Sequence, residues 1–384
     1  MPSRVTLLLL IGLIAASSRP STAQAPPATD LKALVGNLSS LDYATRRDAA
    51  RLIRRAPATD AVPALIDAVR RHSDEYVRNR AFIVLSSFND KGTGDLVRTL
   101  VGDRNDRLRE SAFKWLELHP DPTLVPTLLG ALQTEVAEFV RPALIGALAA
   151  VDQDAQVQRA LVAEAGRGLD FFRSAVIDAL GRRHATYAVD AIAPITRNEG
   201  PLQRDAVLAI GRIGGPKADT IFGSLTTVPD DVQVTVRAAT CLAGKDCGTH
   251  VPALVTTATA ASARPAVVRA AIAGLSVVAE AGNVAALQAL LDLGARAPAL
   301  DGEVALGFSA LALRRPSAVL DWLDSAQEPA RNRAVGLLKD GFASLEDDFA
   351  EEQFYAATRA MYWQAAENSP TRALAAMIIQ RLEF

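Results

Sequence analysis

The hydrophobic positions along this chain recur in one short pattern at steps of 31, 32 and 32 residues. Four segments read EYVRNRAFIVL, DRLRESAFKWL, EFVRPALIGAL and DFFRSAVIDAL, and they begin at Glu75, Asp106, Glu138 and Asp170. Each segment opens with an acid, carries arginine at its fourth position and leucine at its eleventh, and is mostly apolar in between. After the arginine, apolar residues recur at the spacing of an amphipathic helix. The chain is therefore predicted to repeat one helical unit.

The arginine of this pattern keeps its phase over most of the chain. Successive steps are 31 to 33 residues, and the last gap of 62 residues is two periods with one arginine missing near Asp301. We interpret these arginines as an internal ladder that ties successive loops together, with acids three residues earlier, such as Asp106 and Glu138, as acceptors. The alternative is a row that faces an anionic partner. The nine positions are Arg46, Arg78, Arg109, Arg141, Arg173, Arg204, Arg237, Arg269 and Arg331.

A second recurring motif, V-P-x-L, precedes the arginine helix in several units. It contains Pro63, Pro126 and Pro252. Proline is tolerated in the first turn of a helix, where its missing N–H has no acceptor within the helix. Each unit is therefore predicted to contain a first helix that begins near V-P-x-L, a turn, and a second helix that carries the arginine.

V-P-x-L followed by D/E-x-V-R-x-x-A-x-x-x-L resembles the HEAT repeat, particularly the short HEAT-like repeats named after phycobilisome lyases. The resemblance covers roughly Asp30 to Asp340. It implies an all-α, right-handed α-solenoid of about ten HEAT-like helical hairpins, because such hairpins bury their apolar faces only by stacking on their neighbours. It also implies a non-catalytic scaffold whose second helices line a long concave groove for a protein or peptide.

The first 23 residues have the features of a secretory signal peptide. Arg4 supplies a positive charge, Val5 to Ala16 form an apolar run, and small residues follow. The run is shorter than the about 20 apolar residues that cross a bilayer, which favours cleavage over a membrane anchor. Ser21-Thr22-Ala23 is the favoured cleavage site, because a cut after Ala25 would leave Pro26 beside the scissile bond.

We therefore predict an exported bacterial protein whose chain is divided into four parts. They are a Sec-type signal peptide at 1–23, a Pro-rich lead-in at 24–29, a HEAT-like array at 30–340 and a C-terminal helical cap at 341–384. The mature protein is expected in the periplasm or the medium, as a monomer without an integral membrane span.

Composition narrows the choice of partner. Hydrophobic residues make up 49% of the chain and aromatic residues only 5%, a balance suited to closely packed helices of small aliphatic residues. The formal net charge is −2, whereas nucleic-acid binding generally needs a basic surface. A protein or peptide partner is expected, and a nucleic acid is not.

The sequence contains no recognisable catalytic constellation. The four histidines, His72, His119, His184 and His250, are spread over the whole chain, and none is followed by the glutamate found in the His-Glu pairs of HEAT-like deoxyhypusine hydroxylases. The Gly-rich segment from Gly211 to Lys217 is interpreted as a helix end and not as a phosphate loop. We therefore expect no enzyme activity, no cofactor and no metal.

Cys241 and Cys247 are the two cysteines of the chain. In an exported protein they are candidates for a disulfide across one turn, which would contribute roughly 2 kcal/mol by restricting the unfolded chain. The alternative is a pair of free thiols.

The C-terminal segment SLEDDFAEEQFYAATRAMYWQ differs from the repeats because it concentrates acidic and aromatic residues. Such a segment suits a cap on the last repeat or a docking site for a partner, and both interpretations stay open. Two other functions also stay open: a chromophore-lyase-like or other HEAT-like enzyme, and a purely structural cell-envelope protein.

Processing of the N-terminus tests the export prediction. Expression in a bacterial host should yield a mature protein that begins at Gln24, and intact-mass spectrometry of the periplasmic fraction would measure it. Full-length protein confined to the cytoplasm would contradict the prediction.

Overall fold

Antiparallel helix pairs occupy the chain from one end of the described region to the other. A computed structural model describes residues 30–384, and the predicted signal peptide and lead-in lie outside these described residues. Ten hairpins are followed by a final helix pair, α21 and α22, and the all-α fold of stacked hairpins is confirmed. The first helices of hairpins 1 to 10 are α1 Leu31–Asn37, α3 Ala58–Arg71, α5 Gly92–Leu100, α7 Val125–Thr134, α9 Ala155–Glu164, α11 Val189–Ile192, α13 Pro216–Gly223, α15 Cys247–Thr259, α17 Val284–Arg296 and α19 Pro316–Ser325. The second helices are α2 Tyr43–Arg55, α4 Glu75–Ser86, α6 Asp106–Leu118, α8 Arg141–Ala149, α10 Asp170–Arg182, α12 Gln203–Ile213, α14 Asp230–Leu242, α16 Pro265–Glu280, α18 Asp301–Arg314 and α20 Ala330–Leu345, and the final pair is α21 Asp348–Gln364 and α22 Pro370–Arg381.

The V-P-x-L motif marks a helix start at only one of its three positions. Pro126 lies in the first turn of α7, as predicted. Pro63 and Pro252 instead lie inside α3 and α15, which begin at Ala58 and Cys247. One proline removes a single helical hydrogen bond, and in α3 the extra turn buries apolar residues before Pro63.

The second helices form a layer in which neighbouring backbones approach very closely. Successive second helices pack side by side through much of the chain, whereas the first helices contact one another less. At Gly211 in α12, a Cβ atom would lie 2.6 Å from the Cα and carbonyl oxygen of Ala239 in α14. At Gly341 in α20, a Cβ atom would lie 2.5 Å from the carbonyl oxygen of Ala305 in α18. Small residues therefore set a short distance between second helices, which curves the stack toward that layer.

The stack of hairpins closes on itself. α21 packs against α18 and α19 and also against α4, at the opposite end of the array. Phe349 of α21 is buried in the apolar core that is otherwise built from hairpins 1 to 7. Gln353 Nε2 donates to Ser86 Oγ at 2.8 Å. The C-terminal pair therefore covers the last hairpin and the first ones at once.

Two glycines of α20 offer a matched test of the close packing. Gly341→Ala should lower the free energy of unfolding by about 1 to 3 kcal/mol, because its methyl group has no room against α18. Gly336→Ala should leave it unchanged or raise it by up to about 1 kcal/mol, because nothing lies within 4 Å of its Cβ position. Urea unfolding followed by circular dichroism would measure both, and equal effects would contradict the packing argument.

Candidate binding surfaces

At several positions, the recurring arginine binds the end of one helix while it lies in the first turn of the next. Arg78, in the first turn of α4, donates from Nε to the carbonyl oxygen of Val69 at 2.8 Å, near the end of α3. Arg331 likewise donates to the carbonyl oxygen of Leu323 at 2.9 Å, near the end of α19. The last carbonyls of a helix lack partners and carry the negative end of its dipole. The guanidinium thereby compensates for its unfavourable place at a helix start.

The acids that pair with these arginines come mostly from the next hairpin. Arg109 binds Glu135 through two hydrogen bonds of 2.7 and 2.8 Å, and Arg78 Nη1 lies 3.2 Å from Asp103 Oδ1. The predicted acceptors three residues earlier are used only by Arg173, which binds Asp170 at 3.2 Å. One edge of the guanidinium can therefore bind an acid in the next turn while another nitrogen donates to a carbonyl oxygen of the arginine's own hairpin. Among the other ladder positions, Arg46 donates to Ser40, Arg141 pairs with Glu164, Arg204 pairs with Asp231, Arg237 donates to Thr257, and Arg269 is exposed with no ion pair within residues 30–384.

The ladder joins adjacent turns into a rim that carries exposed apolar side chains. The turns between first and second helices lie side by side, since Asn105 Nδ2 donates to the carbonyl oxygen of Glu75 at 2.8 Å and Arg107 stacks on Phe139 at 4.7 Å. Seven of the twelve large exposed apolar residues in the described region lie in the turns of hairpins 1, 2, 4 and 5 or at the start of the second helix that follows each turn. These rim residues are Leu41, Tyr43, Tyr76, Val136, Phe139, Leu169 and Phe171.

The acidic residues of α21 face basic residues of hairpins 1 to 3. Glu352 is 1% exposed and binds the Nε of Arg54 at 2.9 Å. Asp348 pairs with Arg80. The C-terminal segment was predicted to be either a cap or a docking site, and its acids bind this chain's own first hairpins.

Glu351 is the exception in this acidic group. Within the described residues, the Glu351 carboxyl forms no ion pair with an arginine or lysine. It lies partly buried next to Asp347 and Asp348. Burial, followed by the repulsion of these two carboxylates, raises the pKa of Glu351 to about 8, although Arg80 and Arg54 oppose the shift. At neutral pH the Glu351 carboxyl is therefore mostly protonated in the folded protein.

A cleft of about 1030 Å³ opens beside this closure. One wall is the α2 face that carries Arg51 and Arg55, and the other is the α21 face that carries Tyr355 and Trp363. α22 lines the floor with residues such as Ile379. The cleft combines basic and aromatic walls.

The inner side of the stack is not the open groove that the sequence analysis expects. Arg182 Nη1 binds Glu117 Oε1 at 2.7 Å, which joins α10 to α6. Arg212 binds Asp178 at 2.6 Å and Glu280 at 3.1 Å, which joins α12 to α10 and α16. Although burial raises the pKa of Asp178, the attraction of Arg314, Arg182 and Arg212 outweighs it and leaves that pKa below its ordinary value. The short radius of the second-helix layer brings these helix ends within ion-pair distance.

The remaining predicted residues lie apart from these surfaces. A disulfide joins Cys241 at the end of α14 to Cys247 at the start of α15. The four histidines lie in different hairpins, and within residues 30–384 no group of three or more His, Cys, Asp or Glu is placed to hold a metal. Of the helices in the described region, none has the length and apolar character needed to cross a bilayer.

Comparison with family models identifies HEAT repeats in the first hairpins. A family model described as HEAT repeats matches residues 31–117, which confirms the predicted resemblance to HEAT repeats. No match to this sequence was found among curated proteins. Among solved structures, importin beta is 15% identical with a TM-score of 0.40, and the match covers 92% of this chain and 55% of importin beta, just over half its length. The complex of CpcE and CpcF of phycocyanin lyase from Nostoc sp. PCC7120 is 20% identical with a TM-score of 0.32, and the match covers 85% of this chain and 100% of that one.

The raised pKa of Glu351 predicts a specific pH dependence of stability. The folded protein keeps this proton up to a pKa of about 8, whereas the unfolded chain releases it near 4.5. Wild-type stability should therefore fall as pH rises through this window. Glu351→Gln should remove that part of the fall, so that its stability relative to wild type should be greater above pH 8 than at pH 4.5 by on the order of 4 kcal/mol.

Urea unfolding of both proteins across this pH range would measure the effect. Glu367→Gln is the control, because the side chain of Glu367 is largely exposed. Parallel pH profiles for wild type and Glu351→Gln would contradict the assignment.

Proposed function

We propose that this protein is an exported, non-catalytic scaffold that binds a protein partner through the rim of hairpins 1 to 5. One observation carries this proposal: most of the large exposed apolar side chains of the described region are gathered on that rim. Soluble proteins rarely expose contiguous apolar surface unless it contacts another molecule. The corresponding turns of hairpins 6 to 10 contribute none of these residues.

The composition of the rim suits a protein interface. Tyr76, Phe139 and Phe171 are aromatic, and Phe171 is 65% exposed. A few residues carry most of the binding energy at an interface, and tyrosine is among the residue types enriched there. Charged neighbours such as Arg104 and Glu75, which pair at 3.1 Å, provide a polar border.

The rim is also held in place before any partner binds. The ladder fixes the turns of hairpins 2 to 4 through the pairs Arg78–Asp103 and Arg109–Glu135. A surface that is already ordered loses little conformational entropy on binding. The inner side of the stack, in contrast, has its charged groups engaged with one another.

A non-catalytic role is supported by the pairing of the charged groups on the inner side of the stack. The inner carboxylates Glu117, Asp178 and Glu280 each bind at least one guanidinium. At Asp178, burial raises the pKa, but the attraction of Arg314, Arg182 and Arg212 outweighs it and leaves the pKa below its ordinary value. This carboxylate is therefore poorly suited to general acid or base catalysis at neutral pH.

Export is supported by the N-terminal sequence and by the disulfide. Arg4 and the apolar run from Val5 form a signal-like segment. The Cys241–Cys247 bond suits an oxidising compartment such as the periplasm.

Site-specific photo-cross-linking tests the rim directly. A photoreactive amino acid replaces Phe171 in the full chain, and Val284, an equally exposed apolar residue of α17, is replaced in the control. We expect one protein to cross-link in the periplasm at position 171 and not at 284. The cross-link should be lost when Phe139→Ser and Tyr76→Ser are added. A protein captured equally at both positions, or no protein captured at 171, would contradict the proposal.

A further inference from the structure

Four arginines form one face of α2 in the cleft described above. Arg51 lies four residues after Arg47, Arg54 and Arg55 lie three and four residues after Arg51, and all four line the cleft. Like charges at this spacing repel one another and destabilise a helix. Such a face requires compensating negative charge.

The chain supplies only part of that compensation. Glu352 binds Arg54, Glu383 pairs with Arg47, and Asp48 lies 3.0 Å from Arg51. Within the described residues, Arg55 has no carboxylate partner. The Nε atoms of Arg47 and Arg51 are buried without a hydrogen-bond acceptor in the same region. The arginine wall therefore has more donors and more positive charge than this chain satisfies.

The facing wall on α21 repeats the same spacing with aromatic residues. Tyr355, Tyr362 and Trp363 line the cleft together with Arg359. The guanidinium of Arg359 stacks over Tyr355 at 5.6 Å and has no carboxylate partner in residues 30–384. Trp363 is 69% exposed, so its ring is available to a ligand.

We propose that this cleft binds an amphiphilic organic anion, with a carboxylate, phosphate or sulfonate group against the arginine wall and a flat apolar body against the aromatic wall. Guanidinium groups recognise such oxyanions by paired, charge-assisted hydrogen bonds. An aromatic wall favours an apolar body over a small inorganic ion. The volume of about 1030 Å³ accommodates a ligand of that size. This proposal does not depend on the protein partner of the rim.

Fluorescence titration of the full chain tests the site with three probes. Anilinonaphthalene sulfonate carries both an aromatic body and an anionic group, N-phenylnaphthylamine carries the body alone, and inorganic phosphate carries the charge alone. We expect saturable binding of the sulfonate at one site, at least about tenfold tighter than binding of either other probe. Energy transfer from tryptophan to the bound sulfonate should fall in Trp363→Phe and persist in Trp115→Phe.

Charge variants complete the test. Arg55→Glu should weaken sulfonate binding by about tenfold or more. Arg71→Glu is the matched control, because Arg71 is exposed at the end of α3. This variant should bind the sulfonate with wild-type affinity. Thermal unfolding would verify that each variant is folded. Equal affinity for the sulfonate and the uncharged probe, or wild-type affinity in Arg55→Glu, would overturn the proposal.

Discussion

The close approach of neighbouring second helices is the constraint on which the rest of this structure depends. Small residues such as Gly211 and Gly341 let one backbone contact the next, with no room for a Cβ atom. Because the first helices remain farther apart, each hairpin is rotated relative to the last and the stack curves. Enough curvature accumulates over ten hairpins for the final helix pair to meet the first ones.

Closure of the stack makes α21 both a packing partner of the first hairpins and one wall of the cleft. α21 buries Phe349 in the core of the first hairpins, and its Glu352 occupies an almost fully buried ion pair with Arg54. A buried pair of this kind contributes little net stability compared with an apolar contact, yet loss of one partner is strongly destabilising. The pair therefore acts mainly to specify which surfaces meet. The same junction leaves the arginine face of α2 opposite the aromatic face of α21.

Much of the fold could be predicted from the sequence, because the repeat is a local signal. Arg78 and Arg109 keep their period since each has the same local task, which is to donate to a carbonyl oxygen of its own hairpin and to bind an acid in the next turn. The true acceptors, such as Glu135, were missed because they lie in the next unit, 26 residues away. Closure could not be predicted, since Arg54 and Glu352 are 298 residues apart and no periodic pattern connects them. Glycines inside second helices, such as Gly211 and Gly341, were a usable signal for close helix packing.

Zero-length cross-linking of Lys114 tests closure most directly. Its Nζ atom lies 3.1 Å from Glu110 Oε1 in the same helix and 3.1 Å from Asp347 Oδ1 beside α21. Carbodiimide treatment of the dilute protein, followed by peptide mass spectrometry, should yield both the Lys114–Glu110 and the Lys114–Asp347 links within one chain. The local link serves as the internal control for reactivity. Recovery of the Lys114–Glu110 link alone would show an open stack and would contradict the account.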